Sequence, residues 1–373
     1  MRVLMISKAV VVGIYQRKLE EMARIPGVEL TVIVPPSWRD SSGEIRLERA
    51  YTQGYDLLVE PLRLNGNFHL HYFPTLARRV HDVRPDIIHI DEEPYNVAAW
   101  HALWLAKRRR ARTVFFSWQN IERQYPLPFA LGERYVLGGV DYAIAGTDSA
   151  AAVWRAKGYR GPLAVIPQFG VDPVFFSPAE RRRTGRSFVI GFVGRLVPEK
   201  GVDVLIRALA KVPVRRLASA LRLEVIGQGP ERPSLERLAR SLNLGDRVAF
   251  AGQIPSLRMP EFYRELDVLA VPSRTLPNWK EQFGRVIVEA MACGVPVVGS
   301  DSGAIPDIIG SAGLVFTEGD ADALANSLCA MLTDETLRTR FAVEGRTRVI
   351  ERYTHAQVAA QTVDVYRAML DGT

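Results

Sequence analysis

The 373-residue chain is long enough for two domains with cores of their own, and its 47% hydrophobic and 24% charged residues are ordinary for a soluble globular protein. No apolar run reaches the ~18 residues a membrane span needs, and Cys293 and Cys329 offer neither a disulfide framework nor metal spacing, so a reducing cytoplasm is expected. The net charge of +7, concentrated at residues 107–112, 181–183 and 78–79, points to phosphorylated ligands or an anionic lipid surface, although a solvated helix end explains 107–110 equally well. No aromatic-interleaved basic stripe or other nucleic-acid motif is present, so nucleic acid is not an expected partner.

In chain order, residues 2–7 read as a short strand, 15–24 as a helix and 29–34 as a strand closed by Pro35-Pro36. This opening lacks the G-x-G-x-x-G of a dinucleotide site, which speaks against a nicotinamide enzyme, although Gly13 lets a phosphate approach the backbone. Residues 40–73 are polar and aromatic without helical period, and read as short strands and loop. His69 and His71 alternate with Leu70 and Tyr72, and with no third ligand nearby they read as strand surface rather than a metal pair. Strands at 85–90 and 112–116 flank a helix at 95–107. Its start carries Asp91-Glu92-Glu93-Pro94, acids that complement a helix dipole and are also able to bind hydroxyl groups. Ser117-Trp118-Gln119-Asn120 falls at the carboxyl end of the second strand. A strand at 141–145, a helix at 149–157 and a strand at 163–167 complete the first half, and the proline-bearing basic residues 168–187 read as a linker.

The pattern then restarts with a strand at 188–193, a loop from Gly194 to Gly201 and a helix at 202–210. Arg195 and Lys200 flank that loop, a cradle for a diphosphate in which Arg gives a fork and Lys a point charge; the alternative is two surface cations pairing with Glu199. A strand at 223–226 runs into the tight turn Gly227-Gln228-Gly229-Pro230, and strands at 247–252 and 267–272 follow. The most informative stretch is 278–309: a polar loop, Phe283-Gly284, a short helix at 286–292 stopped by Gly294, and an apolar strand at 295–299. Glu281 and Glu289 are expected on one side of it, with the amides of Phe283, Gly284 and Arg285 between them, so that carboxylates meet vicinal hydroxyls and amides hold phosphate. A strand at 312–316 and helices at 320–331, 336–353 and 354–370 finish the chain. Asp320 reads as a helix N-cap and not as half of a D-x-D metal pair with Asp322.

The run Glu281-Gln282-Phe283-Gly284, four residues, Glu289-Ala290-Met291-Ala292-Cys293-Gly294-Val295-Pro296-Val297-Val298, joined to Gly194-Arg195 and Lys200-Gly201, resembles the signature of retaining glycosyltransferase family 4, the glycosyl transferases group 1. The resemblance lies in motifs over 188–332 and in architecture alone over 1–167. It implies an α/β protein of GT-B fold, two Rossmann-like domains facing across a cleft. The first, 1–167, would bind the acceptor; the linker is 168–187; 188–350 would bind the nucleotide sugar; and 351–373 would return as a helix to the first domain.

The resemblance further implies a metal-independent retaining hexosyltransferase with no cofactor. It would move a sugar from a nucleotide-diphosphate sugar, UDP-linked first and GDP-linked second, to a hydroxyl of a lipid-linked, glycan or small-molecule acceptor. Arg195 and Lys200 would stabilise the leaving diphosphate, Glu281 would contact the sugar and Glu289 the ribose hydroxyls. Gly13, Gly194, Gly227, Phe283, Gly284, Arg285 and Val286 would complete the donor site. Glu92, Glu93, Trp118, Gln119 and Asn120 would meet the acceptor or the sugar, with Gln119 standing where the family usually has a histidine. The expected setting is the cytoplasm, peripheral to the inner membrane face, in polysaccharide or glycolipid synthesis. Competing readings are an epimerase or phosphorylase of the same fold, a non-catalytic nucleotide-sugar-binding homologue, and a basic membrane- or nucleic-acid-binding protein.

Overall fold

Strand positions 3–6 set the pattern of the first half: Val3 and Met5 pack into one apolar cluster and Leu4 and Ile6 into another. A strand apolar on both faces needs a layer of helices on each, which is the signature of a buried parallel sheet. The computed structural model describes residues 1–40, 43–179, 187–213 and 221–372; the basic run 181–183 and part of the expected linker lie outside them. The chain divides into two units, Met1–Gly170 with His355–Thr373, and Val171–Thr354.

Unit 1 runs β1 (Arg2–Ser7), α1 (Arg17–Ala23), β2 (Glu29–Val34), β3 (Ser37–Asp40), β4 (Gly43–Arg46), β5 (Asp56–Val59), α2 (Leu76–Val83), β6 (Ile87–Asp91), α3 (Val97–Arg109), β7 (Arg112–Ser117), α4 (Phe129–Leu137), β8 (Tyr142–Ala145), α5 (Asp148–Ala156) and β9 (Leu163–Val165). Seven strands form a parallel sheet in the order β5-β2-β1-β6-β7-β8-β9, while β3 and β4 make a separate antiparallel hairpin. The sequence expected Asp91–Glu93 to cap α3. Asn96 does so instead, its side chain accepting from the Ala99 amide at 2.9 Å, because the three acids are turned to other partners. His69 and His71 lie outside any strand, and His71 is buried.

Unit 2 runs β10 (Phe188–Val193), α6 (Val202–Lys211), β11 (Leu221–Ile226), α7 (Arg232–Ser241), β12 (Val248–Gly252), α8 (Met259–Arg264), β13 (Val268–Val271), α9 (Arg285–Ala292), β14 (Val297–Ser300), α10 (Ile305–Ile309), β15 (Gly313–Phe316), α11 (Ala321–Thr333) and α12 (Glu335–Arg352). Its six strands are parallel in the order β12-β11-β10-β13-β14-β15. Ile190 and Phe192 face one core and Val189 the other. Asp320 caps α11, accepting from the amides of Asp322 and Ala323, and Asp322 is held by Lys211. The final helix, α13 (His355–Asp371), belongs to unit 1: it packs on α1, buries Val358, Val363 and Tyr366, and joins Tyr366 Oη to His89 Nδ1 at 2.6 Å.

In both sheets the strand order reverses beside the first strand, between β1 and β6 and between β10 and β13, while every pair stays parallel. In open α/β sheets such a switch point leaves a crevice at the carboxyl ends of the strands where ligands bind. In unit 2 two glycines close the loops around it. A β carbon at Gly201 would fall 1.9 Å from the carbonyl oxygen of Pro272, and one at Gly227 would fall 1.8 Å from that of Gly194. Both residues also have positive φ, +65° and +145°.

Gly201→Ala and Gly227→Ala are therefore each expected to destabilise the protein by about 2–4 kcal/mol, clash and backbone strain together. Gly319→Ala, at φ +78° with nothing within 4 Å, should cost only about 1–2 kcal/mol. Urea unfolding of the three variants separates the terms; equal losses would show that the close approaches contribute nothing.

Candidate functional site

The loops leaving β10 and β13 meet at the switch point of unit 2. Arg274, just after β13, fastens them: its amide donates to Glu199 O at 2.8 Å, and its guanidinium bonds Pro198 O at 2.7 Å and Asp203 at 2.8 Å. This presents Lys200 toward the β13 loop. Its ammonium lies 2.6 Å from Glu281 Oε2 and 4.8 Å from the centre of the Trp279 ring. Ser273 Oγ donates to the same carboxylate oxygen at 2.9 Å. Glu281 is buried, and its main chain is fixed as well: Ala304 N donates to Glu281 O at 3.2 Å. The structure thus brings Lys200 and Glu281 together, whereas Arg195 is 63% exposed and lies 3.6 Å from Glu199. Of the two cations flanking the loop, only Arg195 makes the surface pairing with Glu199.

Behind this pair, Glu289 lies on α9, buried, with Oε2 accepting from Tyr263 Oη at 2.8 Å and Oε1 3.0 Å from Arg285 Nε. Burial pushes its carboxyl up, against the pull of Arg285 and Tyr263. An ionised carboxylate has about four acceptor positions, so two fixed donors orient it and leave capacity for vicinal hydroxyls. α9 starts at Gly284, at φ +71°, and no side chain among the described residues caps it. Its first residues, Arg285 and Val286, follow Phe283 and Gly284 directly out of the β13 loop. Such an uncapped helix start attracts phosphate and hydroxyl oxygens. Gly194 and Gly227 line the neighbouring strand exits, their amides held by Ile226 O and Gly252 O.

In unit 1 the three consecutive acids after β6 have three different surroundings. Asp91 accepts from Ser7 Oγ and, at 2.8 Å, from Gln168 Nε2, with buried Lys18 nearby; burial pushes its carboxyl up and Lys18 pulls it down. Glu92 is held by Lys8, by His71 Nε2 at 3.1 Å and by Asn96 Nδ2 at 3.1 Å. Burial raises it, but Lys8 and His71 outweigh that and bring it down to about 2. Its side chain is fully buried and its carboxylate is engaged by these three partners.

Glu93 accepts from Ser117 Oγ and from the Trp118 amide at 3.1 Å, and burial pushes it up to about 7. Gln119 donates its amide to Ser117 Oγ and its side chain to Ile121 O, and receives Tyr125 Oη at 3.3 Å. Trp118 Nε1 donates to Gln168 at 2.7 Å, and Asn120 is buried. Glu93, Trp118, Gln119 and Asn120 therefore form one cluster at the ends of β6 and β7. Tyr95 stands over Tyr125 at 4.4 Å, and His69 lies between Tyr95, Tyr125 and Phe129.

Gly13 has a partner within the chain. Its amide donates to Glu48 Oε2 at 2.6 Å, and Gln16 pins the segment carrying Glu48 through Glu48 O and the Ala50 amide. A diphosphate at this amide has to displace that carboxylate. Among the described residues, no group of three His, Cys, Asp or Glu side chains is placed to hold a metal, and no helix is long and apolar enough to cross a membrane. Sequence reasoning missed Ser273, Trp279, Tyr263 and Glu48. Ser273 carried a signal as the small polar residue ending a strand, but Tyr263 sits on the unforeseen α8.

One consequence is measurable in pH. From about pH 4.5 to about pH 7 the unfolded chain ionises Glu93 while the fold keeps it protonated. Ionisation then opposes folding, and the melting midpoint falls as pH rises through that window. Asp91 and Glu289, raised by burial, act in the same sense. Glu92 acts oppositely: its contribution is present above about pH 4.5 and is lost as pH falls toward about 2. A Glu93→Gln variant should show a shallower fall between pH 5 and 8; a slope identical to the parent would remove Glu93 from this account.

Comparison with known proteins shows the family and the fold. Residues 18–175 match the family described as Glycosyltransferase Family 4, and residues 176–348 match Glycosyl transferases group 1. A D-inositol 3-phosphate glycosyltransferase of Stackebrandtia nassauensis is 33% identical over 308 residues, 75% of this chain and 68% of that one. A GDP-mannose-dependent alpha-(1-6)-phosphatidylinositol monomannoside mannosyltransferase of Mycolicibacterium smegmatis is 32% identical over 341 residues, 85% of each. Among solved structures, sucrose-phosphate synthase from Thermosynechococcus elongatus superposes with a TM-score of 0.73 at 22% identity, over all of both chains. HepE of Anabaena, in complex with UDP, gives 0.74 at 20% identity, covering 99% of this chain and 100% of that one. At these identities the solved structures speak for the fold, which is GT-B. The chain belongs to glycosyltransferase family 4, the glycosyl transferases group 1, and is a glycosyltransferase of its retaining, metal-independent class.

Proposed function

We propose that the enzyme moves a hexosyl group from a nucleotide-diphosphate sugar held by unit 2 to a hydroxyl of an acceptor received by unit 1. The observation that carries this reading is the Lys200–Glu281 pair, fixed at the switch point by Ser273 and Arg274. An ammonium has three donors, so Lys200 can keep Glu281 in place and still meet a phosphate oxygen. As the bond from the sugar to the diphosphate breaks, charge builds on the phosphate, and a cation already in position stabilises it without rearrangement. Arg195, exposed and weakly paired, swings onto the same diphosphate. Glu281 contacts the sugar hydroxyls, Glu289 the ribose, and the amides of Phe283 through Val286 hold oxygens of the sugar or phosphate. The acceptor oxygen bonds to the sugar on the face the diphosphate leaves, and its proton passes to the departing phosphate.

The first donors to test are UDP-sugars and then GDP-sugars, the latter supported by the GDP-mannose-dependent relative. The proposed acceptor is a polyol or its lipid-linked form. The names of the two relatives support this, as does the setting of Glu93 and Gln119 beside the rings of Tyr95, Tyr125 and His69, where a sugar-like ring finds both hydrogen-bonding groups and aromatic faces. The proposed setting is the cytoplasm, at the inner membrane face, in glycolipid or polysaccharide synthesis.

In a thermal-shift panel of UDP-, GDP- and ADP-sugars with the free nucleotides, one donor should raise the melting midpoint, and Lys200→Ala should abolish the shift. Lys200→Ala and Glu281→Ala should each lower kcat by about 10²-fold or more with the circular dichroism unchanged. Near-parental turnover in both variants would sink the assignment of the site.

A further inference from the structure

We propose that the α3–α4 face of unit 1 docks on anionic lipid bilayers. α4 has one side committed to the core: Val136 is buried, and a β carbon at Gly132 would fall 1.9 Å from the Trp100 ring of α3. Its other side is apolar and faces water. Leu131 is 56% exposed, Tyr135 37%, and Leu127, four residues ahead, 70%. Leu131 and Tyr135, four residues apart, share one side of α4, and Leu127 is exposed in the turn that leads into it. On α3, Trp104 is 43% exposed, and the Arg108 guanidinium stacks on its ring at 3.8 Å. Lys107, on the same turn, reaches to 5.1 Å from the Tyr135 ring, so the two exposed faces meet at that lysine.

Charge decides the occupant. Lys107, Arg108, Arg109 and Arg110 at the end of α3 and Arg134 on α4 are all exposed, and the acid that α4 carries, Glu133, is buried and taken up by Lys157 at 2.6 Å. Basic residues in the last turn of α3 are explained by the helix dipole alone. That explanation does not reach Leu127 and Leu131, which are 70% and 56% exposed, or the outer faces of Trp104 and Tyr135. Leucines flanked by tyrosine and tryptophan, with lysine and arginine around them, match the layered chemistry of a bilayer surface: acyl chains, interface, then anionic headgroups. A second copy of this chain would bring the same positive charge to the same face and be repelled.

The surface also adjoins the proposed acceptor residues. Gln119, Asn120 and Tyr125 lie on the loop that runs into Leu127 and α4, so a lipid-linked acceptor with its headgroup at Gln119 has its membrane next to Leu127. The inference deepens the reading of a lipid-linked acceptor, but its test reads binding rather than turnover.

The full chain is mixed with vesicles of phosphatidylcholine alone, or with about one third phosphatidylglycerol, and sedimented. It should bind the anionic vesicles, not the neutral ones, and release in 0.5 M salt, as about one Debye length of a few ångströms at high salt requires. L127S/L131S and R108E/R109E should each weaken binding about tenfold or more, while keeping the donor-induced shift. That retained shift separates failure of this surface from failure of the donor site. Parental vesicle binding by L127S/L131S would overturn the proposal. So would no binding by the parent, or a dimer in lipid-free sedimentation that the leucine substitutions dissolve.

Discussion

The space between Gly201 and the carbonyl of Pro272 is too small for a β carbon, and the geometry of unit 2 follows from that contact. It lets the β10 loop lie directly on the exit of β13, where Arg274 ties it to Pro198, Glu199 and Asp203. Lys200 is then one residue from the contact, and its ammonium lies 2.6 Å from Glu281. Glu281 is constrained from its other side by Gly303, where a β carbon would fall 2.1 Å from the Glu281 carbonyl. An ion pair on flexible side chains at a surface contributes little, because ordering both partners offsets their attraction. Here the backbone has already done the ordering, so the charges are in place before a ligand arrives.

Unit 1 shows how far surroundings override residue type. Asp91, Glu92 and Glu93 are adjacent and all lie in low-dielectric surroundings, yet their acidities diverge. Lys8 and His71 bond directly to Glu92 and lower it, while the hydroxyl and amide that bond Glu93, with a weaker pull from Lys8, do not offset its burial. A charged partner compensates desolvation where a dipole does not. The polar chain from Gln119 through Ser117 to Glu93 then fixes the loop after β7 without calling on a charged histidine.

Much of this was legible in the sequence because the buried strands announce themselves. Residues 2–7, 188–193 and 268–271 are apolar on both faces, and glycine marks where their loops turn. The pairing of Lys200 with Glu281 was not legible, since 81 residues separate them and only the strand order joins them. Helices α2, α4, α7, α8 and α10 escaped notice for local reasons. α7, α8 and α10 carry proline in the first turn, where it suits a helix but reads as a break. The expected capping by Asp91–Glu93 failed because tertiary partners outcompeted the helix end. Glu48 on the Gly13 amide is a contact across 35 residues that no local pattern encodes.

The return of α13 to unit 1 makes that unit discontinuous, with all of Val171–Thr354 inserted between its two parts. At about 5–20 residues per second a ribosome needs roughly 10–40 s to cross the insertion. Throughout that interval the apolar face of α1 that receives Val358, Val363 and Tyr366 has no cover. The inserted unit, whose strands and helices are contiguous in sequence, is complete first. The nascent enzyme is thus assembled from the middle outward, and α13, made after the whole inserted unit, closes the domain whose strands were made before it.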